Sequence, residues 1–282
     1  MRIAFIILAH QYPAQLLRLV KSLHHPNFDC WVHLDNKCRA RDFKAVLETK
    51  NVFAVQPRLS LDWGNFNIVQ AMINSLKAAS SSSENYEYYH FLSGLDYPLQ
   101  SPQLFLGYLQ KHVGYEFVGN RPLEESQQNI LRVTKYHFNN VINPVGTILE
   151  RFANNILPPR KFPYPFEIRK GPQWMTLSHE AVVYLLGFIR SNPKYSGYFH
   201  YVLAPDEFFF QTILYNSPFR EQMKNQIFHY IDWSEQKKCP KTLTINDKER
   251  LLASSFFFAR KFDAEKKSAI LDILDEKNKR IE

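Results

Sequence analysis

Residues 2–9, Arg2-Ile3-Ala4-Phe5-Ile6-Ile7-Leu8-Ala9, followed by His10-Gln11-Tyr12-Pro13, are the stretch on which the fold turns. A nearly continuous apolar run reads as a strand covered on both faces, as in the middle of a parallel sheet. It is too short to span a bilayer, and no small-residue cleavage site follows it, so neither a transmembrane helix nor a signal peptide fits. Pro13 suits the first turn of a helix carrying Leu16, Leu17, Val20 and Leu23 at helical spacing. Phe28 to Leu34 reads as the next strand, with a helix around 42–49 and a short strand over Val52-Phe53-Ala54-Val55. Ile68, Met72, Ile73 and Leu76 mark another amphipathic helix, closed by the Ser80–Ser83 loop, and Tyr88 to Leu92 reads as a strand. This alternation implies an α/β fold, a doubly wound, mostly parallel sheet flanked by helices.

Bulk properties narrow the function. Apolar residues make up 45% of the 282 and aromatics 15%, a globular composition. The formal charge of +8 is spread without a dense basic stripe, which disfavours nucleic acid as partner. It leaves a solvated basic surface, an anionic substrate or acidic lipid headgroups as readings. Cys30, Cys38 and Cys239 form an odd set with no CxxC spacing, which speaks against a disulfide scaffold or zinc site and for a reducing compartment.

Ligands of such sheets bind at the carboxyl ends of the strands. Three of those ends carry polar groups: Ala9-His10, Asp35-Asn36-Lys37 and Ser93-Gly94-Leu95-Asp96. A carboxylate after the second strand suits a ribose or uracil contact, although polar residues there are also ordinary turn chemistry. Neither GxGxxG nor GxxxxGK[ST] occurs, so the dinucleotide and P-loop readings lose their support.

Farther on, residues 140–172 carry six prolines interleaved with Phe152, Phe162, Tyr164 and Phe166, and read as a long loop. Its aromatics could stack on sugar rings or simply pack the loop down. Pro205-Asp206-Glu207 suits a helix start, and equally a general base at the mouth of a cleft. Adjacent helical residues diverge by about 100°, so only one of the two acids is expected to face a substrate, which disfavours a glycosidase pair. Phe258-Ala259-Arg260-Lys261-Phe262-Asp263 places two cations after apolar residues, where they could snorkel or meet a diphosphate.

Six stretches together carry a resemblance. They are His33-Leu34-Asp35-Asn36-Lys37, Ser93-Gly94-Leu95-Asp96-Tyr97-Pro98, Gly171-Pro172-Gln173-Trp174 with Ser178, Pro205-Asp206-Glu207, Tyr230-Ile231-Asp232-Trp233 and Phe258-Ala259-Arg260-Lys261-Phe262-Asp263. In this order the chain resembles the core-2/I-branching β-1,6-N-acetylglucosaminyltransferase family, which also includes peptide O-xylosyltransferases and bacterial members. The resemblance implies a GT-A-type fold in one domain, with residues 1–120 as nucleotide-binding half and 121–282 as acceptor and catalytic half. It implies inverting transfer from a UDP-sugar, N-acetylglucosamine first and xylose or glucuronic acid as alternatives, to a glycan or a lipid-linked saccharide. No metal cofactor is expected, and no Asp-x-Asp occurs in the sequence.

By the same resemblance Glu207 is the catalytic base. Ala9, His10, Asp35 and Asn36 hold the donor nucleotide, and Asp96 orients the donor or its loop. Lys261, beside Arg260, meets the diphosphate together with a second cation, Lys241 by best match and Lys238 as alternative. Trp174 and Trp233 are expected to wall the acceptor site, with Trp63 nearby. The Golgi anchor, stem and disulfides of the animal members have no counterpart here, which fits a bacterial cytoplasmic enzyme of surface-polysaccharide synthesis, at most peripheral at the inner face of the membrane. The rival classes are a non-catalytic carbohydrate-binding protein and a metal-dependent nucleotidyl- or phosphoryl-transfer enzyme.

Overall fold

The computed structural model describes residues 1–138, 144–237 and 239–279. Its strands are β1 (Ile3–Ala9), β2 (Phe28–Leu34), β3 (Val52–Ala54), β4 (Tyr88–Ser93), β5 (Asp96–Pro98), β6 (Glu116–Phe117), β7 (Arg121–Pro122), β8 (Arg169–Lys170), β9 (Thr176–Ser178), β10 (Met223–Lys224), β11 (His229–Ile231) and β12 (Phe258–Arg260). The α-helices are α1 (Pro13–Ser22), α2 (Lys44–Leu47), α3 (Phe66–Ser80), α4 (Pro102–Lys111), α5 (Gln127–Thr134), α6 (Pro144–Ile156), α7 (His179–Ser191), α8 (Pro193–Phe199), α9 (Phe209–Tyr215), α10 (Lys248–Leu252), α11 (Ala264–Lys267) and α12 (Ala269–Lys279). Among these described residues no helix is long and apolar enough to cross a membrane.

Seven strands form the central sheet in the order β10-β6-β9-β4-β1-β2-β3. Pairing is parallel except on the two sides of β9, which runs against β4 and β6. The mostly parallel sheet flanked by helices, expected of a GT-A-type fold, is what forms. All seven residues of β1 are buried, because alternate side chains enter two cores. Ala4, Ile6 and Leu8 pack beneath α3 and α7, whereas Ile3, Phe5, Ile7 and Ala9 pack beneath α1, α4 and α12.

A second, three-stranded sheet, β11-β12-β5, stands at the carboxyl edge of the first. In it Arg260 lies in register with Asp96. The two expected halves therefore interleave: β9 is inserted between β4 and β6, and β12, near the C-terminus, pairs with β5. Residues 144–172 correct the expectation of one long loop. Pro144 opens α6, no proline follows before Pro158, and apolar side chains recur at helical spacing in between. The prolines from Pro158 onward keep the rest irregular, and residues 140–143 lie outside the described residues.

The irregular segment re-enters the body after β8 at Gly171. A Cβ there would stand 1.6 Å from the carbonyl oxygen of Gly119 and 2.5 Å from its carbon, so only glycine permits this backbone crossing. Gly107 in α4 is different, since a Cβ there meets nothing within 4 Å. Gly171→Ala is expected to lower stability by about 3 kcal/mol or more, as forced overpacking does, while Gly107→Ala leaves it unchanged or raises it by about 0.5–1 kcal/mol. Denaturant midpoints of the two variants check this, and equal effects would refute the crossing.

Candidate active site

The parallel register brings Ala9, Leu34 and Ser93 to one edge of the sheet, and the residues just beyond them open onto a cleft of about 1080 Å³. Ala9, His10 and Asp35 line it, as the strand-end reading expects. The Asp35 carboxylate is fixed by backbone N–H donors, with Lys37 N at 2.9 Å from Oδ1 and Leu61 N at 3.2 Å from Oδ2. Partial burial lowers the pKa of His10; Asp35 opposes this, and the positive charges of Arg260 and Lys261 add to it. Asn36, by contrast, points to solvent outside the lining.

On the cationic side the register of β12 with β5 decides the geometry. Arg260 Nε donates to Asp96 Oδ1 at 3.1 Å, and its guanidinium lies 4.0 Å from the centre of the Trp174 ring. Asp96 is fully buried behind the cleft wall; it accepts from Ser93 N and Ser93 Oγ, each at 2.7 Å, and His229 Nε2 stands 3.3 Å away. Burial alone would push this carboxyl up, but Arg260, His229 and Ser93 outweigh it and hold the pKa below the ordinary value. Asp96 therefore does not border the cleft; it positions the loop and Arg260. Lys261 does border the cleft and forms no ion pair among the described residues.

Lys241 is placed differently from expectation. The turn after it is closed by a capping box in which Thr244 and Asp247 bond each other's backbone, fixing the Asp247 carboxylate within reach. Lys241 Nζ lies 2.6 Å from Asp247 and 4.0 Å from Asp232, and it is not part of the cleft lining. Lys238 lies outside the described residues. Trp174 is buried and carries Arg260 on its face, whereas Trp63 and Trp233 are exposed at the cleft margin.

Opposite stands the Pro205–Glu207 turn, a single 3₁₀ turn. The residue before it, Ala204, has φ 50°, a left-handed backbone that a non-glycine residue holds only when its surroundings enforce it. Here Ala204 N donates to Gly64 O at 3.0 Å and Arg132 Nε to Leu203 O at 3.1 Å. Fully buried Gln211 ties the turn to the Gly171-Pro172 crossing: its Nε2 donates to Gly171 O and Pro172 O at 3.1 Å and to Asp206 O at 3.3 Å. Glu207, 33% exposed, is gripped through Oε2 by Arg132 at 2.9 Å and Lys170 at 3.4 Å, and its Oε1 has no partner among the described residues. Sequence reasoning missed Arg132, Lys170 and Gln211, whose partners are distant in the chain; only the proximity of Lys170 to Gly171-Pro172 offered a signal.

The two acids are placed differently: Glu207 is accessible from the cleft, whereas Asp206 is buried at its wall, with Oδ1 unpartnered among the described residues. Burial, and then the neighbouring Glu207 charge, push its pKa up to about 7.

Comparison with known proteins follows the same outline. Residues 3–252 match the family model described as Core-2/I-Branching enzyme. Xylosyltransferase 1 of Rattus norvegicus is 23% identical over 297 residues, covering 97% of this chain and 35% of that protein. Xylosyltransferase of Ciona intestinalis is 22% identical over 294 residues (97% and 34%), and Xylosyltransferase oxt of Drosophila pseudoobscura pseudoobscura 24% over 305 residues (98% and 33%). The chain spans about a third of the length of these curated relatives. A solved structure, 4-diphosphocytidyl-2C-methyl-D-erythritol synthase from Anaerococcus prevotii DSM 20548, superposes with a TM-score of 0.37 at 12% identity, covering 67% of this chain and 75% of that one.

The raised Asp206 pKa carries a sign. The native state retains a proton that the unfolded chain releases near 3.8, so this group's contribution is full below that value and lost as pH rises through about 7. Asp206→Asn is therefore expected to gain stability relative to the unaltered protein as pH rises from about 4 to about 7. Thermal midpoints across that range check this, and a pH-independent difference would refute it.

Proposed function

The chain belongs to the Core-2/I-Branching enzyme family of glycosyltransferases, and from that premise we propose that it transfers a sugar from a UDP-sugar to a glycan hydroxyl with inversion and without a metal ion. One observation carries the reading. Lys261 and Arg260 stand in the same cleft as the strand ends and as Glu207, with Lys261 in no ion pair among the described residues and Arg260 held from behind by Asp96 and Trp174. As the bond between the anomeric carbon and the phosphate oxygen breaks, negative charge builds on UDP. Fixed cations in a partly desolvated cleft stabilise that charge without reorganising. In this reading Arg260 takes the part first expected of Lys241, which is engaged by Asp247.

On the other side, Glu207 Oε1 accepts the proton of the acceptor hydroxyl while that oxygen bonds to the anomeric carbon from the face opposite UDP. Arg132 and Lys170 hold Oε2, so the carboxylate has one anchored and one working oxygen. Ala9, His10 and Asp35 take the nucleoside; Trp63 and Trp233 at the margin offer faces for the sugars. Among the described residues no three His, Cys, Asp or Glu side chains cluster as a metal site. Metal independence is proposed from the cations that border the cleft. For the donor, the resemblance to the branching N-acetylglucosaminyltransferases favours N-acetylglucosamine, while the xylosyltransferases named above favour xylose.

A UDP-sugar panel scored by UDP release in excess EDTA tests class and donor together. One sugar turned over in chelator is the expected result; release that needs added manganese contradicts the charge argument. Glu207→Gln should reduce turnover on the order of 10²-fold or more with UDP affinity retained. Lys261→Ala should weaken UDP binding as well as slow transfer, and a change confined to the acceptor KM would remove Lys261 from the diphosphate.

A further inference from the structure

Helix α6 is amphipathic in the wrong sense for a helix on a soluble surface. Such a helix turns its apolar stripe inward and its polar face to water. Here Glu150 and Asn154 face the protein, and the apolar stripe is exposed beside Thr147, Arg151 and Asn155. Asn154 Oδ1 accepts from Tyr136 N at 2.9 Å, its Nδ2 donates to Tyr136 O at 2.8 Å, and Glu150 accepts from Phe138 N at 3.2 Å and pairs with His137. Buried Gly146 and Ala153 lie on the same side. At about 100° per residue, Ile148, Leu149, Phe152 and Ile156 fall within roughly one 100° arc on the opposite side. Together with Leu157 just past the helix end, they are 45% to 64% exposed.

The charge around this stripe is predominantly of one sign. Lys135, Arg151 and Lys161 are exposed and Arg132 and Arg160 partly so, and the one acid between residues 131 and 161 is Glu150, turned inward onto His137. An apolar stripe flanked by exposed cations complements the interface of an anionic bilayer, where apolar side chains enter the acyl boundary and cations meet headgroup phosphates. The position suits the chemistry as well. Segment 134–138, clasped by α6, continues α5, whose Arg132 grips Glu207, and Arg160 N donates to Thr134 O at 2.7 Å. Thus α6 is joined, through segment 134–138 and α5, to the turn that carries the base.

We propose that α6 docks this protein on an anionic phospholipid surface through Ile148, Leu149, Phe152, Ile156 and Leu157, with the acceptor side of the cleft toward the membrane. The placement of the acceptor rests on the transferase reading; the docking itself does not, and it is scored without turnover.

Co-sedimentation of the full chain with vesicles of phosphatidylcholine alone, and with phosphatidylglycerol added, tests it. Binding is expected to favour the anionic vesicles, to weaken in salt, and to fall about ten-fold or more in the Ile148→Ser, Phe152→Ser double variant, whose exposed positions leave the fold intact by circular dichroism. Arg151→Glu should weaken binding to anionic vesicles and leave the weak binding to neutral ones unchanged. Equal binding by the double variant, or no vesicle binding at all, overturns the proposal. So does a stable dimer in light scattering that the double variant splits, because the stripe would then be covered by a second copy. If vesicles bind as stated and no UDP-sugar is turned over, docking stands and the transferase reading fails.

Discussion

The contact between Asp96 and Arg260 is the joint on which this molecule depends. A fully buried carboxylate has to be satisfied, and Asp96 is satisfied from two directions: Ser93 of the central sheet supplies two hydrogen bonds and Arg260 of the second sheet a third, with the His229 ring 3.3 Å away. One side chain thereby locks the three-stranded sheet to the carboxyl edge of the seven-stranded one. The same bond aims the guanidinium across Trp174 and sets Lys261 at the cleft. The Arg260–Lys261 peptide bond is cis. Without the joint the strand ends would still form a cleft, but its cations would not be fixed there.

The opposite wall is fixed by a different device, a backbone clamp. Ala204 is held left-handed by Gly64 and by the Arg132 bonds to its neighbours, and Gln211 fastens the Pro205–Glu207 turn to a crossing that only glycine at 171 allows. The two walls divide the labour. Charge is concentrated at the strand ends and a single carboxylate oxygen is presented across from it, an arrangement that suits separating a leaving group from an incoming hydroxyl.

Legibility in the sequence tracked the range of the interactions involved. β1, β2 and β4 and the start of α1 were readable to within a residue, because continuous apolar runs and a first-turn proline are local signals. Glu207, Asp35, His10 and Lys261 were singled out through motifs, and the structure brings them to one cleft. Lys241 was misplaced because its partner Asp247 is fixed by a capping box rather than by charge alone. Arg132, Lys170 and Gln211 were missed because their contacts cross the chain. Helix α6 was hidden by prolines on both sides of it, although none interrupts its interior.

A crystal of the protein grown with UDP in the presence of EDTA is the most direct measurement of the central claim, that fixed side chains neutralise the departing diphosphate. The β-phosphate is expected within hydrogen-bond distance of Lys261 Nζ and of the Arg260 guanidinium, with the nucleoside over Ala9 and Asp35. A diphosphate remote from both cations, or one that orders only around added manganese, would contradict it.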